Sequence, residues 1–134
     1  MSDAKKFFSP GLRYAVIGAT INQSKYGYRV LKDLHAAGYE VFGVNPNYHE
    51  IDGIVCRPSL ADLPSKVDVA VVVVPPETGL SLIQEIKQLD IKLAWFQPGA
   101  ESAEIRTKAI ALGIEVMADG SCIMVARRAL GAKI

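Results

Sequence analysis

The run Val69-Ala70-Val71-Val72-Val73-Val74 restricts the fold more than any other stretch, because six apolar residues follow one another with no polar alternation. A strand of this kind is buried on both faces, the condition of a central strand in a parallel sheet covered by helices on either side. The chain around it agrees. Strand-like runs at residues 41–44, 54–56, 68–74, 93–96 and 114–117, of which 54–56 is short and weaker, are interleaved with amphipathic helical segments. Residues 77–89 place Leu82, Ile83, Ile86 and Leu89 on one side, residues 102–112 place Ile105, Ala109 and Leu112 there, and Gly38 and Gly113 stand where helices should stop. Right-handed βα crossovers then predict an α/β, doubly wound, mostly parallel Rossmann-like sheet with strand order 3-2-1-4-5-6. At 134 residues, half of them hydrophobic, residues 1–134 read as a single domain with 1–10 as a loose N-terminal segment.

Composition removes several function classes. The net charge is +1, and no basic cluster exists beyond Lys5-Lys6 and Arg127-Arg128, so nucleic acid is not an expected partner. No apolar run approaches membrane-spanning length and the N-terminus lacks the apolar core of a signal peptide, which predicts a cytoplasmic protein with no membrane partner. Cys56 and Cys122 lack metal-ligand spacing and read as free thiols. His35 and His49 have no Ser or Cys at a motif spacing, so no catalytic residue and no metal site is assigned.

The chemistry-bearing stretch runs from Tyr14 to Leu34. Tyr14-Ala15-Val16-Ile17 breaks at Gly18, polar residues follow, and Tyr28-Arg29-Val30-Leu31-Lys32-Asp33-Leu34 carries a helical apolar spacing. A strand, a turn and a helix N-terminus direct free backbone N–H groups and a helix dipole at one spot, where an anionic group can bind. The turn departs from the dinucleotide fingerprint: Gly18-Ala19-Thr20-Ile21-Asn22-Gln23 lacks its second glycine, and the second strand runs into Asn45-Pro46-Asn47 with no ribose-binding acid. NAD is therefore disfavoured.

Ligands in such sheets bind beyond the C-terminal strand ends, which points to the loops at 18–25, 45–48, 75–78, 97–99 and 119–122. Gly18 suits close backbone approach, and Gly18→Val is expected to fold yet fail to bind. Thr20, Asn22 and Ser24 are residue types that cap helices and that hold phosphates. Lys25 and Arg29 lie one turn apart where a helix dipole disfavours cations, so phosphate pairing competes with a solvated face, at about 1.5 to 3 kcal/mol each if they pair. Asn45-Pro46 ends a strand. Pro75-Pro76, after the most buried strand, forms a rigid wall against which a base or ribose can rest. Cys122 reads as a buried small residue or as a thiol near the ligand.

Taken in order, Val16-Ile17-Gly18-Ala19-Thr20, Lys25-Tyr26-Gly27-Tyr28-Arg29-Val30, Val44-Asn45-Pro46, Pro58-Ser59-Leu60-Ala61-Asp62-Leu63-Pro64, Val73-Val74-Pro75-Pro76, Trp95-Phe96-Gln97-Pro98-Gly99 and Asp119-Gly120-Ser121-Cys122 resemble the small stand-alone coenzyme A-binding proteins. Their fold matches the CoA-binding domain of succinyl-CoA synthetase alpha subunits. The resemblance implies CoA or acyl-CoA as ligand, with the pyrophosphate at the first turn and the two arms spread over the strand ends. The contact residues it implies are Gly18, Ala19, Thr20, Asn22, Ser24, Lys25, Tyr26, Arg29, Asn45, Pro46, Val74, Pro75, Pro76, Thr78, Gln97, Gly99 and Cys122. The site loops hold no evident acid/base pair, which suits a binding or regulatory module without chemistry of its own. An NAD(P)-linked oxidoreductase, or one part of an acyl-CoA ligase, is the alternative, and self-association or a partner enzyme subunit stays open.

Overall fold

The structure, a computed structural model, describes residues 3–134. Its sheet is built from β1 (Arg13–Ile17), β2 (Glu40–Val44), β3 (Glu50–Ile51), β4 (Ile54–Arg57), β5 (Val69–Val72), β6 (Leu93–Phe96) and β7 (Glu115–Met117), in the spatial order β3-β4-β2-β1-β5-β6-β7. All pairings are parallel except β3 with β4. The six expected strands hold their expected order. The difference is the added edge strand β3, which comes from the two-residue turn Asp52-Gly53, both at positive φ (50° and 83°). That geometry is the one that hairpins prefer, and it pairs Ile51 with Ile54.

Helices α1 (Tyr26–Ala36) and α4 (Ile123–Leu130) cover one face, and α2 (Pro76–Gln88) and α3 (Ala103–Ala111) the other. Alternate residues of β5 separate between the two cores. Val69 and Val71 pack with Val30, Leu31, Leu34 and Trp95, whereas Ala70 and Val72 pack with Ile83, Ile86, Phe96 and Ile105. All four β5 side chains are fully buried, so the unalternated run does mark a central strand. The strand ends at Val72 rather than Val74. Val73 still donates its N–H to the Ile17 carbonyl at 2.9 Å, and beyond it the chain leaves the sheet to start α2.

Two segments differ from expectation. Residues 1–2 lie outside the described ones, but the rest of the expected loose segment is packed: Ala4–Phe8 forms a 3-10 turn with Phe7 and Phe8 buried. The Phe7 ring meets Trp95 edge-on at 5.0 Å, and the Tyr14 hydroxyl donates to the Phe7 carbonyl at 2.6 Å. Each buried phenyl contributes about 1.5 to 3 kcal/mol, enough to order a short segment. Helix α4 is also absent from the sequence expectation, although Ile123 and Met124 give it a buried apolar side. Arg127 grips Asp33 of α1 with Nε at 2.8 Å and a terminal nitrogen at 3.0 Å. No helix is long and apolar enough to cross a membrane, a statement that covers the described residues.

Candidate functional site

The C-terminal ends of β2, β1, β5 and β6 surround a cleft of about 750 Å³. Its shape begins with two glycines. Gly18 leaves β1 at φ +101°, a conformation closed to most side chains, and a Cβ there would lie 3.1 Å from both the Val73 carbonyl oxygen and Val74 Cγ1. Gly27, in the first turn of α1, is tighter still: a Cβ would sit 2.0 Å from the Gly18 carbonyl oxygen. The two residues let helix and strand end close on each other, the task of the last glycine of a dinucleotide fingerprint, here at a longer spacing. The positive φ also revises the expectation for Gly18→Val. A β-branched side chain at +101° is strained, so that variant loses stability as well as backbone approach.

The polar residues of the loop 18–25 bond to each other and not to the helix. Thr20 Oγ1 accepts from the Asn22 N–H at 3.2 Å, and Asn22 Oδ1 accepts from the Ser24 N–H at 3.1 Å and the Ser24 hydroxyl at 2.7 Å. The capping reading of these three residues is thereby removed. The N-cap of α1 is Lys25, with no side-chain cap, and the N–H groups of Tyr26 and Gly27 find no acceptor among the described residues. At α2 the N-cap is Pro75 and the first helical residue is Pro76, again without a side-chain cap. These uncapped ends belong to the first turns of helices whose residues line the cleft.

Asn45 ties the neighbouring loops together: its Nδ2 donates to the Ala19 carbonyl at 2.9 Å and its Oδ1 accepts from the Asn47 N–H at 2.9 Å. The Tyr48 hydroxyl and Thr20 Oγ1 meet at 3.5 Å. On the opposite side Gln97 is fully buried. Its Oε1 accepts from the Ile123 N–H at 2.8 Å, capping α4, and its Nε2 donates to Cys122 Sγ at 3.3 Å.

Of the expected contact residues, the cleft brings together Gly18, Thr20, Ser24, Lys25, Tyr26, Asn45, Val74, Pro75, Pro76, Gln97 and Gly99. Ala19 is buried, and a Cβ added at Gly43 would come within 3.0 Å of its methyl group. Asn22 acts within its own loop. Arg29 stands exposed on α1 with its guanidinium 5.9 Å over the Tyr26 ring, and Pro46, Thr78 and Cys122 are also off the lining. Residues that sequence reasoning omitted are Gly27, Asn47, Tyr48, Val73, Pro98 and Ala100. The available signal for Gly27 is its place in the run Lys25-Tyr26-Gly27-Tyr28-Arg29-Val30, directly before the helical spacing begins.

Charge divides the cleft. Lys25 is its one charged lining residue among those described, and no carboxylate lines it. The β1 and β2 loops offer hydroxyls, amides and this ammonium, while the β5 and β6 ends offer mostly valine, proline, glycine and alanine. Such a surface can hold a molecule that is anionic at one end and uncharged at the other. Among the described residues no cluster of His, Cys, Asp or Glu is suited to a metal. Burial pushes the Cys56 thiol up from its ordinary range, which makes it a poor nucleophile; it sits in β4, inside the added edge strand.

The chain and its fold are similar to those of known proteins. The chain is 37% identical over 78 residues to an ADP-forming acetate–CoA ligase of Archaeoglobus fulgidus, a match covering 58% of this chain and 11% of the ligase. It thus spans about a tenth of that relative's length. A conserved hypothetical protein of Pyrococcus furiosus superposes with a TM-score of 0.79 at 49% identity, covering 85% of this chain and 97% of the other. A dinucleotide-forming acetyl-coenzyme A synthetase of Ca. Korarchaeum cryptofilum, solved with phosphate and ADP, superposes with a TM-score of 0.75 at 32% identity, covering 90% of this chain and 28% of that one. The family described as "CoA binding domain" matches residues 12–128. With nearly the whole chain inside that match and the sheet order, glycine turn and strand-end cleft in place, the protein belongs to the CoA binding domain family.

Proposed function

We propose that the chain binds coenzyme A or an acyl-CoA in this cleft, as a binding or regulatory module without chemistry of its own. The observation that carries the reading is the open N-terminus of α1, where among the described residues two N–H groups beside Lys25 have no acceptor and no carboxylate lines the cleft. Helix dipole, N–H donors and ammonium all favour a phosphate there. In this reading the Tyr26 and Gly27 N–H groups and Lys25 hold the diphosphate, Thr20 adds a hydroxyl donor, Ser24 braces the loop through Asn22, and Val73, Val74, Pro75 and Pro76 support an uncharged arm. A CoA ligand supplies the reactive thiol; the residues lining the cleft bind and orient. Both cysteines are free, and the reading places the protein in a reducing compartment, the cytoplasm.

Calorimetry and thermal shift with CoA, acetyl-CoA, NAD, NADP and ATP test it. CoA should bind and raise the melting temperature, by about 2.7 kcal/mol of stabilisation at a ligand concentration of about 100 Kd. Saturable NAD binding tighter than CoA binding overturns it. A second reading, in which the chain works as one part of an acyl-CoA ligase assembly, is favoured by the 37% identity to a ligase of which the match covers 11%. CoA-dependent ligase activity appearing only on addition of a partner protein separates the two.

A further inference from the structure

We propose that Glu101 sets acyl specificity at the uncharged end of the cleft, admitting free CoA and neutral acyl-CoA and discriminating against acyl groups that end in a carboxylate. The inference rests on the CoA reading above and adds the class of acyl group. It begins with direction. The cleft's one charged lining residue, Lys25, and the open end of α1 belong to the β1 side, so the anionic phosphates settle there. The residues that line the β5 and β6 ends are uncharged. The arm that carries the thiol therefore runs along Val73 to Pro76 toward the loop after β6, two strands and about 10 Å from β1.

That loop ends in a carboxylate, Glu101, which is not itself a lining residue but is bonded to one, Gly99. The Glu101 side chain accepts the Gly99 N–H with both oxygens, at 3.2 and 3.1 Å, and Gly99 lines the cleft at φ +91°. No salt bridge engages Glu101, and no cationic side chain lines this end among the described residues. The negative charge is held in place by a main-chain donor and left without a counter-charge. A neutral acyl group meets little penalty there. An ω-carboxylate brought to about 4 Å in water meets about 1 kcal/mol of repulsion, which is about fivefold in affinity, and a Debye length of about 8 Å means that direct contact is not needed.

Butyryl-CoA and succinyl-CoA isolate this charge, because both have four acyl carbons and differ in the terminal carboxylate. Calorimetry at low salt on the unmodified protein should give CoA, acetyl-CoA and butyryl-CoA similar affinities and succinyl-CoA about fivefold weaker binding. In Glu101→Gln, which keeps an acceptor for the Gly99 N–H, the gap between butyryl-CoA and succinyl-CoA should close while the affinity for CoA holds. Equal binding of the two four-carbon thioesters to the unmodified protein overturns the inference and leaves CoA binding standing, as does a gap that persists in Glu101→Gln. Failure of every CoA species to bind overturns this inference together with the reading on which it rests.

Discussion

The N-termini of α1 and α4 serve the same sheet, and the protein treats them in opposite ways. Gln97, fully buried at the end of β6, turns its Oε1 to the first N–H of α4 at 2.8 Å. Among the described residues nothing comparable reaches α1: Thr20, Asn22 and Ser24, all good caps by chemistry, are bonded within their own loop. Helix α3 repeats the α4 pattern, with Ser102 Oγ accepting from the Ile105 N–H at 3.2 Å. Where the fold needs only a stable helix end it supplies a side-chain acceptor, and where the cleft lies it leaves the donors open. Residue type alone does not separate these cases, since Ser24 stands two residues before α1 and Ser102 one residue before α3.

The largest test acts on what brings the open end into place. Gly27→Ala puts a methyl 2.0 Å from a backbone oxygen, which cannot swing aside, so α1 must shift. We expect a stability loss of about 3 kcal/mol by urea unfolding, the upper part of the usual range for overpacking, and a fall in CoA affinity of more than about tenfold. Undiminished affinity would break the link between close helix approach and the site.

Lys25→Ala sharpens the electrostatic half of the comparison. A paired ammonium contributes about 1.5 to 3 kcal/mol to holding a phosphate, so affinity should fall by that amount while stability changes by less than about 0.5 kcal/mol. The two readouts must separate. A variant that loses stability instead would make Lys25 a helix-end residue with no ligand role.

The same contrast explains what sequence could and could not supply. The βα alternation, the six-strand order and the loops to inspect follow from apolar periodicity and from glycines at helix ends, features that are local and strongly patterned. The hairpin at Asp52-Gly53 was also written in the chain as a turn dipeptide; beside a two-residue strand its alternation was too short to register. The packing of Phe7 and Phe8 on Trp95 was not local, because it joins residues 88 positions apart. The site divides likewise. Gly18, Lys25 and Pro75 could be named from a strand-to-helix junction and a buried strand's end, whereas the cap that Gln97 gives to α4 across 26 positions depends on the sheet being assembled.

At the closed ends the expected signature is reversed. Ser102→Ala removes a true cap and should cost about 1 kcal/mol of stability with CoA affinity unchanged. Ser24→Ala, at the open end, should leave stability within about 0.5 kcal/mol, because its hydroxyl bonds to Asn22 and not to a helix N–H. Equal destabilisation by the two would mean that α1 relies on Ser24 as a cap.

The smallest effect is expected at Arg29, and it decides how far the open end extends. From sequence alone Lys25 and Arg29 are equivalent, one turn apart at the same helix start. The structure separates them: Lys25 lines the cleft, while Arg29 stands outside it with its guanidinium 5.9 Å over the Tyr26 ring and, among the described residues, no acidic partner. Its charge still acts on a bound phosphate through solvent, at the strength of an exposed pair, which is about 0.2 to 1 kcal/mol and screened by salt. Arg29→Ala should therefore weaken CoA binding by roughly 0.5 kcal/mol at low ionic strength and by almost nothing at about 1 M salt, where the Debye length falls to about 3 Å. Lys25→Ala should keep most of its effect at high salt, because an ammonium hydrogen-bonded to phosphate is screened less than one acting across water. If calorimetry gives both variants the same loss and the same salt dependence, the Arg29 side chain leaves Tyr26 to reach the ligand, and the phosphate site takes in the outer face of α1 as well as its end.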